Sequence, residues 1–241
     1  MDLPEFQELD YQLTPLGELI LRRRTVPSLG NREVFEVKLD GAFLMSSLNN
    51  ATEIALAKLA LGLLDAGPHD VLVGGLGLGY TAQAALECAN VRSVTVVELL
   101  PQVIGWHRRG MVPLGKRLWR DPRFGVVQED FFEWATSEWG TLGEDTPERF
   151  GAIVVDIDHS PEFMLQPSHY AFYQVDSLRR LLGRLLPGGA FALWSADPPQ
   201  ASFVRKLKAV FESVTTQEIE FYDPLFGEKD SNTIYLARAP M

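Results

Sequence analysis

The stretch that most constrains this chain is Val71 to Glu98, VLVGGLGLGYTAQAALECANVRSVTVVE. Val71, Leu72 and Val73 are β-branched or aliphatic and run straight into glycines, as a buried parallel strand does at its ligand edge. Gly75, Gly77 and Gly79 then permit a tight turn and a backbone approach to a ligand that any Cβ would block. The pattern predicts a helix over Tyr80 to Ala89, whose free N–H groups and positive dipole end face the same point. A second strand, Ser93 to Val97, delivers Glu98 about twenty residues past the glycines, where a carboxylate accepts from both hydroxyls of a ribose. Glycines alone also serve ordinary turns. In the order strand, helix, strand, acid they predict a nucleoside-cofactor site.

A chain of 241 residues, 46% hydrophobic and 22% charged, suits one large domain or one domain with a small appendage. Its net charge of −10 argues against nonspecific phosphate binding and is compatible with a cationic substrate. Cys88 is the single cysteine, which excludes an internal disulfide, and its place inside a predicted helix reads as a small core residue. The acidic start MDLPEFQELD lacks the basic and apolar parts of a signal peptide. Ala55 to Leu64 is the most apolar helical stretch, but it carries Lys58 and falls short of the roughly 20 residues of a membrane span. A cytoplasmic enzyme with neither a nucleic-acid nor a membrane partner is expected.

Residues 1–48 read as a small β unit. Strands are expected over Glu18 to Val26 and Glu33 to Leu39, with Asp40-Gly41 as a hairpin turn before Ala42 to Met45. Arg22, Arg23 and Arg24 read as a solvated strand face in preference to an anion site. Asn50 and Glu53 have capping-box spacing for a helix continuing through Ile54, Ala57, Leu61 and Leu64 and ending near Gly67. The boundary to a second unit, 49–241, therefore falls near Ser47 to Asn50. Beyond Glu98, Pro101 opens a helix through Trp106 and Arg109, with His107 read as part of its polar end. Phe124 to Gln128 is a third strand; Asp130 after it is placed either to accept from an adenine amino group or to cap the helix from Phe131. Phe150 to Val155 is a fourth strand, ending in Asp156. A helix is expected over Ala171 to Leu186, then a Pro187-Gly188-Gly189 turn, a strand from Ala190 to Ser195 and a helix over Gln200 to Phe211. Two last strands, Val214 to Tyr222 and Asn232 to Ala237, have no helix between them and so should pair antiparallel. The fold class expected is α/β: a doubly wound, Rossmann-like seven-stranded sheet with an antiparallel last strand, preceded by the small β unit.

With these pieces placed, the chain resembles the class I S-adenosylmethionine-dependent transferases. Within them it resembles the spermidine synthase (polyamine aminopropyltransferase) family over nearly its full length. The matching stretches are KLDGAFL, VLVGGLGLGYT, VTVVELLPQVI, FGAIVVDIDHSP and LRRLLGRLLPGG. The departures fall in the amine site. Where the family has the aspartate of GGGDG, which helps anchor the amine of decarboxylated S-adenosylmethionine, this chain has Gly77. Leu44 stands for a family glutamine, and Asn50 to Leu56 lacks the family's tyrosine and histidine. In the family's DSxDP signature the first carboxylate is the proposed base and the second holds the diamine. Asp156 matches the first; His159 occupies the second position, with Asp158 and Pro161 displaced by one.

Retained cofactor motifs beside an altered diamine site lead to the expectation of methyl transfer from S-adenosylmethionine to a small-molecule or peptide-like acceptor. The resemblance implies cofactor contacts from Gly75, Gly77, Gly79, Tyr80, Glu98, Asp130 and Asp156, and catalytic roles for Asp156, Asp158 and His159. His169, Tyr170 and Tyr173 are further candidates to line the acceptor pocket. The alternative is aminopropyl transfer from decarboxylated S-adenosylmethionine to a polyamine, with Asp158 as the displaced carboxylate. A third reading is a non-catalytic S-adenosylmethionine-binding protein. Relatives in this family often assemble as dimers or larger, which makes a homodimer compatible with the resemblance.

Overall fold

The computed structural model describes residues 6–138, 140–225 and 227–241. Residues 1–5, half of the acidic amino terminus read above, lie outside them. Four strands, β1 (Phe6–Thr14), β2 (Gly17–Val26), β3 (Arg32–Leu39) and β4 (Ala42–Ser46), form an antiparallel sheet in that order. The Asp40-Gly41 turn is present, with both residues at positive φ (49° and 81°). β1 is the strand the sequence reading lacks: FQELDYQLT has no sustained alternation, and it forms an edge strand whose recorded partner is β2.

The expected solvated arginine face is instead an ion-pair cluster. Arg22 and Arg24 both reach Glu36 on β3, at 2.6 and 2.7 Å, and Glu36 is only 2% exposed. Arg23 pairs with Glu33 and Gln7.

The second sheet is built from α1 (Ala51–Gly62), β5 (His69–Gly74), α2 (Tyr80–Leu86), β6 (Val91–Glu98), α3 (Pro101–Arg109), α4 (Gly115–Leu118), β7 (Phe124–Gln128), α5 (Phe131–Thr136), β8 (Phe150–Val155), α6 (Val175–Leu182), β9 (Leu185–Ser195), α7 (Ala201–Lys208), β10 (Ser213–Asp223) and β11 (Glu228–Arg238). Its order is β10-β11-β9-β8-β5-β6-β7. Neighbours from β7 to β9 are parallel, and β11 runs antiparallel to both β9 and β10. This is the expected doubly wound, Rossmann-like seven-stranded sheet with an antiparallel last strand and a separate small amino-terminal sheet.

Strand alternation sorts side chains between two layers. Val71, Val73, Ala152, Val154, Ala190 and Ala192 face the layer that holds α1, α2 and α3. Leu72, Ile153, Val155, Phe191 and Leu193 face the layer of α5, α6 and α7. Three alanines on the first face admit α1 closely through Leu56, Ala57 and Ala60. Leu19, Leu21 and Val37 of the small sheet join that same core. A further tie comes from the Trp106 indole of α3, which donates to Asp10 of β1 at 2.6 Å. Among the described residues no helix is long and apolar enough to cross a membrane.

The helix expected over Ala171 to Leu186 is shorter at both ends. A 3-10 turn occupies Pro167–Ala171, and Gln174 is extended, so α6 starts at Val175. The Tyr173 hydroxyl donates to Asp158 at 2.8 Å, holding this entry in place. At the other end Leu185 pairs with Phe150 across the sheet, and that pairing overrides the leucine periodicity.

Removing one member of a buried ion pair leaves uncompensated charge. Glu36→Gln is therefore expected to cost about 3 kcal/mol, read as a lower urea midpoint. Arg23→Gln, on the outer pair, should cost about 1 kcal/mol or less.

Candidate functional site

The carboxyl ends of β5, β6 and β8 converge on the glycine turn. Asp156 N donates to the Gly74 carbonyl and Gly75 N to the Val97 carbonyl, both at 2.9 Å. Gly75 has φ 92°, and a Cβ there would lie 2.4 Å from the Asp156 carbonyl oxygen, so only glycine fits. Gly79, φ 91°, would drive a Cβ to 2.5 Å from Leu118 and 3.0 Å from the His107 ring. Gly77 differs: at φ 48° its Cβ would meet only Met45 Sδ of β4, at 3.4 Å.

Above the turn lies a cavity of about 560 Å³, a volume typical of small-molecule sites. Gly75, Gly77, Gly79, Tyr80, Glu98, Asp130, Asp156 and His159 all border it. Asp158 does not border it. Glu98 is buried and accepts from the amides of Leu76 (2.9 Å) and Leu100 (2.8 Å). Burial pushes its carboxyl up, against those amides, which favour the charged form. Asp130 caps α5, its Oδ1 accepting from Phe132 N at 2.8 Å and Glu133 N at 3.1 Å. Tyr80 opens α2; burial raises its phenol, whose hydroxyl bonds with Asn50 and Ser47 moderate the shift.

Asp156 accepts from Thr81 Oγ1 at 2.7 Å. Burial raises its carboxyl, and the Thr81 bond opposes the rise. A carboxylate that capping-box spacing had assigned to helix initiation stands with it at the cavity. Asn50 makes no side-chain cap bond, and Glu53 borders the cavity instead, with Oε2 accepting from Thr52 at 3.0 Å. Trp194 in turn donates to Thr52 at 3.1 Å. Burial, then the charge of Asp156, pushes the Glu53 carboxyl from 4.5 up to about 7. The sequence signal for Glu53 was its standing as the sole acid in the mainly apolar helix ATEIALAKLALG, whose other charge is Lys58.

Asp158 is 3% exposed and accepts from Leu165 N (2.9 Å), His169 Nδ1 (2.8 Å) and Tyr173 (2.8 Å). Its carboxylate is thus engaged in holding the segment after β8, away from the cavity. His159 stacks on Phe163 at 5.1 Å. Of the three aromatic candidates, His169 borders the cavity, Tyr173 is core and Tyr170 is 59% exposed. His107, read as a polar helix end, is fully buried; its Nε2 donates to the Gly77 carbonyl at 2.9 Å. Burial lowers it to about 4, which keeps it neutral beneath the turn.

No family model matches the chain. Over 186 residues it is 27% identical to polyamine aminopropyltransferase 2 of Pseudomonas aeruginosa, the match covering 73% of this chain and 49% of that protein. Over 137 residues it is 31% identical to the polyamine aminopropyltransferase of Corynebacterium efficiens, covering 56% of this chain and 24% of that one. The chain thus spans about half the length of the first relative and about a quarter of the second. Among solved structures, spermidine synthase in complex with the transition-state analogue AdoDATO matches with a TM-score of 0.73 at 17% identity, over 96% of this chain and 73% of that one. Spermidine synthase from Thermotoga maritima matches at 0.71 and 17%, over 96% and 72%. The structural likeness shows the fold; the curated relatives add sequence similarity. The chain is thus similar in sequence to polyamine aminopropyltransferases and in its Rossmann-like fold to spermidine synthases.

Proposed function

We propose that this chain is a transferase that moves an alkyl group from an adenosyl sulfonium to an amine, with aminopropyl transfer from decarboxylated S-adenosylmethionine to a polyamine as the leading reaction. The relatives named above are aminopropyltransferases, which favours this reaction over the methyl transfer expected from the sequence. The single observation in the site that supports an amine acceptor is the pair Glu53 and Asp156 bordering one cavity beside the glycine turn. The residues fit an adenosyl donor. The backbone of Gly75, Gly77 and Gly79 borders the cavity, Glu98 stands on the same wall at the end of β6, and Asp130 with Phe131 and Phe132 borders it too.

In the reaction the acceptor nitrogen attacks the carbon beside the sulfonium, the new C–N bond forms, and the C–S bond breaks with its electron pair staying on sulfur. The chain has two tasks: to hold the acceptor in line and to take a proton. An amine arriving as ammonium must lose a proton before it attacks. Asp156, at the end of β8 with Oδ2 held by Thr81, is the proposed base. Glu53 supplies a second negative charge to the ammonium, from the opposite element α1. Tyr80 and the turn amides hold the donor, and Asp158 acts on the site only through the segment it anchors.

One observation keeps methyl transfer from intact S-adenosylmethionine as a second reading: no carboxylate stands at Gly77, and the Met45 thioether faces that position. Calorimetric titration with the two donors separates them. Tighter binding of the decarboxylated donor is expected; preference for the intact one would transfer the assignment to methylation. An aspartate is tolerated at positive φ, so Gly77→Asp should raise preference for the decarboxylated donor about tenfold or more. An unchanged ratio would show that position 77 does not face the donor's amine.

Asp156→Asn keeps the side chain's size and removes the base; kcat should fall on the order of 10²–10⁴-fold with the circular-dichroism spectrum intact. Unchanged turnover would remove Asp156 from that role.

Glu53 gives two pH signatures. Its charge is lost as pH falls through about 7, so wild-type kcat/KM for the amine should decline there, and Glu53→Gln should lack that limb. Stability runs the other way. A carboxyl raised in the fold contributes stability below its unfolded value of 4.5 and loses it as pH rises through about 7. Glu53→Gln should thus be more stable than wild type at pH 8, on the order of 1–3 kcal/mol, with the gap closing toward pH 5.

A further inference from the structure

One buried polar unit on the cavity wall has no part in the transfer step. His169 is 4% exposed, and its ring stacks on Phe132 with centroids 3.8 Å apart and planes at 24°. Its Nδ1 lies 2.8 Å from Asp158, whose carboxylate also accepts from Leu165 N and Tyr173. An ionised carboxylate can only accept, so the neutral imidazole carries its hydrogen on Nδ1 and leaves Nε2 as an acceptor. His169 borders the cavity and Asp158 does not. The ring edge turned away from Asp158 therefore meets the open space. No hydrogen bond to Nε2 is formed among the described residues, and that nitrogen is not one of the sealed-off unpartnered atoms. The wall around it includes Asp130, Phe131 and Phe132, at the carboxyl end of β7. Asp130 already spends one oxygen on two amides of α5.

We propose that His169 determines which purine the site accepts, its Nε2 taking a hydrogen bond from the 6-amino group of adenine. The proposal rests on the reading of the cavity as an adenosyl site. A 6-oxo purine would set a carbonyl oxygen against the Nε2 lone pair, leaving both acceptors without a donor. Asp158 is a positioning residue in this arrangement: it selects the tautomer, and the Phe132 ring fixes the plane.

The test is calorimetric titration at pH 8 with 5′-methylthioadenosine and 5′-methylthioinosine, which differ only in the amino or oxo group at C6 and in the hydrogen that the 6-oxo purine carries on N1; the variants separate the His169 contribution from any reading of N1. Wild type should favour the 6-amino compound by about tenfold or more. His169→Phe keeps an aromatic ring on Phe132 but has no acceptor, and its preference should collapse to within about threefold. His169→Leu fills the same space with neither acceptor nor aromatic ring, and its preference should collapse likewise. A folded His169→Phe that retains the wild-type ratio overturns the proposal. If that variant does not fold, a retained ratio in His169→Leu does the same. Should neither nucleoside bind wild type, the adenosyl reading itself falls, and this assignment with it.

Discussion

The structure depends on one close approach, the passage of Gly75 against the main chain of Asp156. There is no room for a Cβ between them, and the Asp156 amide bonds back to Gly74. This contact brings the ends of β5 and β8 together, while Gly75 N and the Leu76 amide tie the same turn to Val97 and Glu98 of β6. Three strand ends are thereby held around one point, and the amides that hold them also hold the acids in place. Glu98 illustrates the balance: burial pushes its carboxyl up, and two amide donors oppose that push. Beneath the turn the neutral His107 ring supports the Gly77 carbonyl. A charged group in that buried place would need a partner, and Nδ1 has none among the described residues.

Much of the sheet was legible because its central strands are buried on both faces. Phe150–Val155, buried at every position, lies where its composition places it, since a run such as FGAIVV has no competing period. Legibility failed where a distant partner decides the local structure. Leu185 reads as one more leucine of a helix and becomes strand because Phe150 offers it a pairing. The edge strand β1 lacks a periodic signal because its face is mostly exposed.

The site shows the same division. The positions contributed by strand ends and the turn, Glu98, Asp130 and Asp156, can be found by counting from the glycines. Glu53 could not be counted, because spacing within a helix start says nothing of what lies across from it, and capping chemistry offered a local explanation. Asp158 and His159 were separated by the fold rather than by the sequence. Adjacent residues after a strand point to different sides, so one closes a buried network while its neighbour borders the cavity.

The antiparallel last strand has a consequence for how the chain assembles. β11 lies between β9 and β10, and its Ile234, Tyr235, Leu236 and Ala237 are buried. The strand that arrives last is thus inserted into the sheet rather than added to its rim, and β10 has no place to dock until β11 follows it. During synthesis β9 must wait as an open, apolar edge, the kind of template other chains pair with. Completion of the sheet, and release from that hazard, waits for the residues from Glu228 onward.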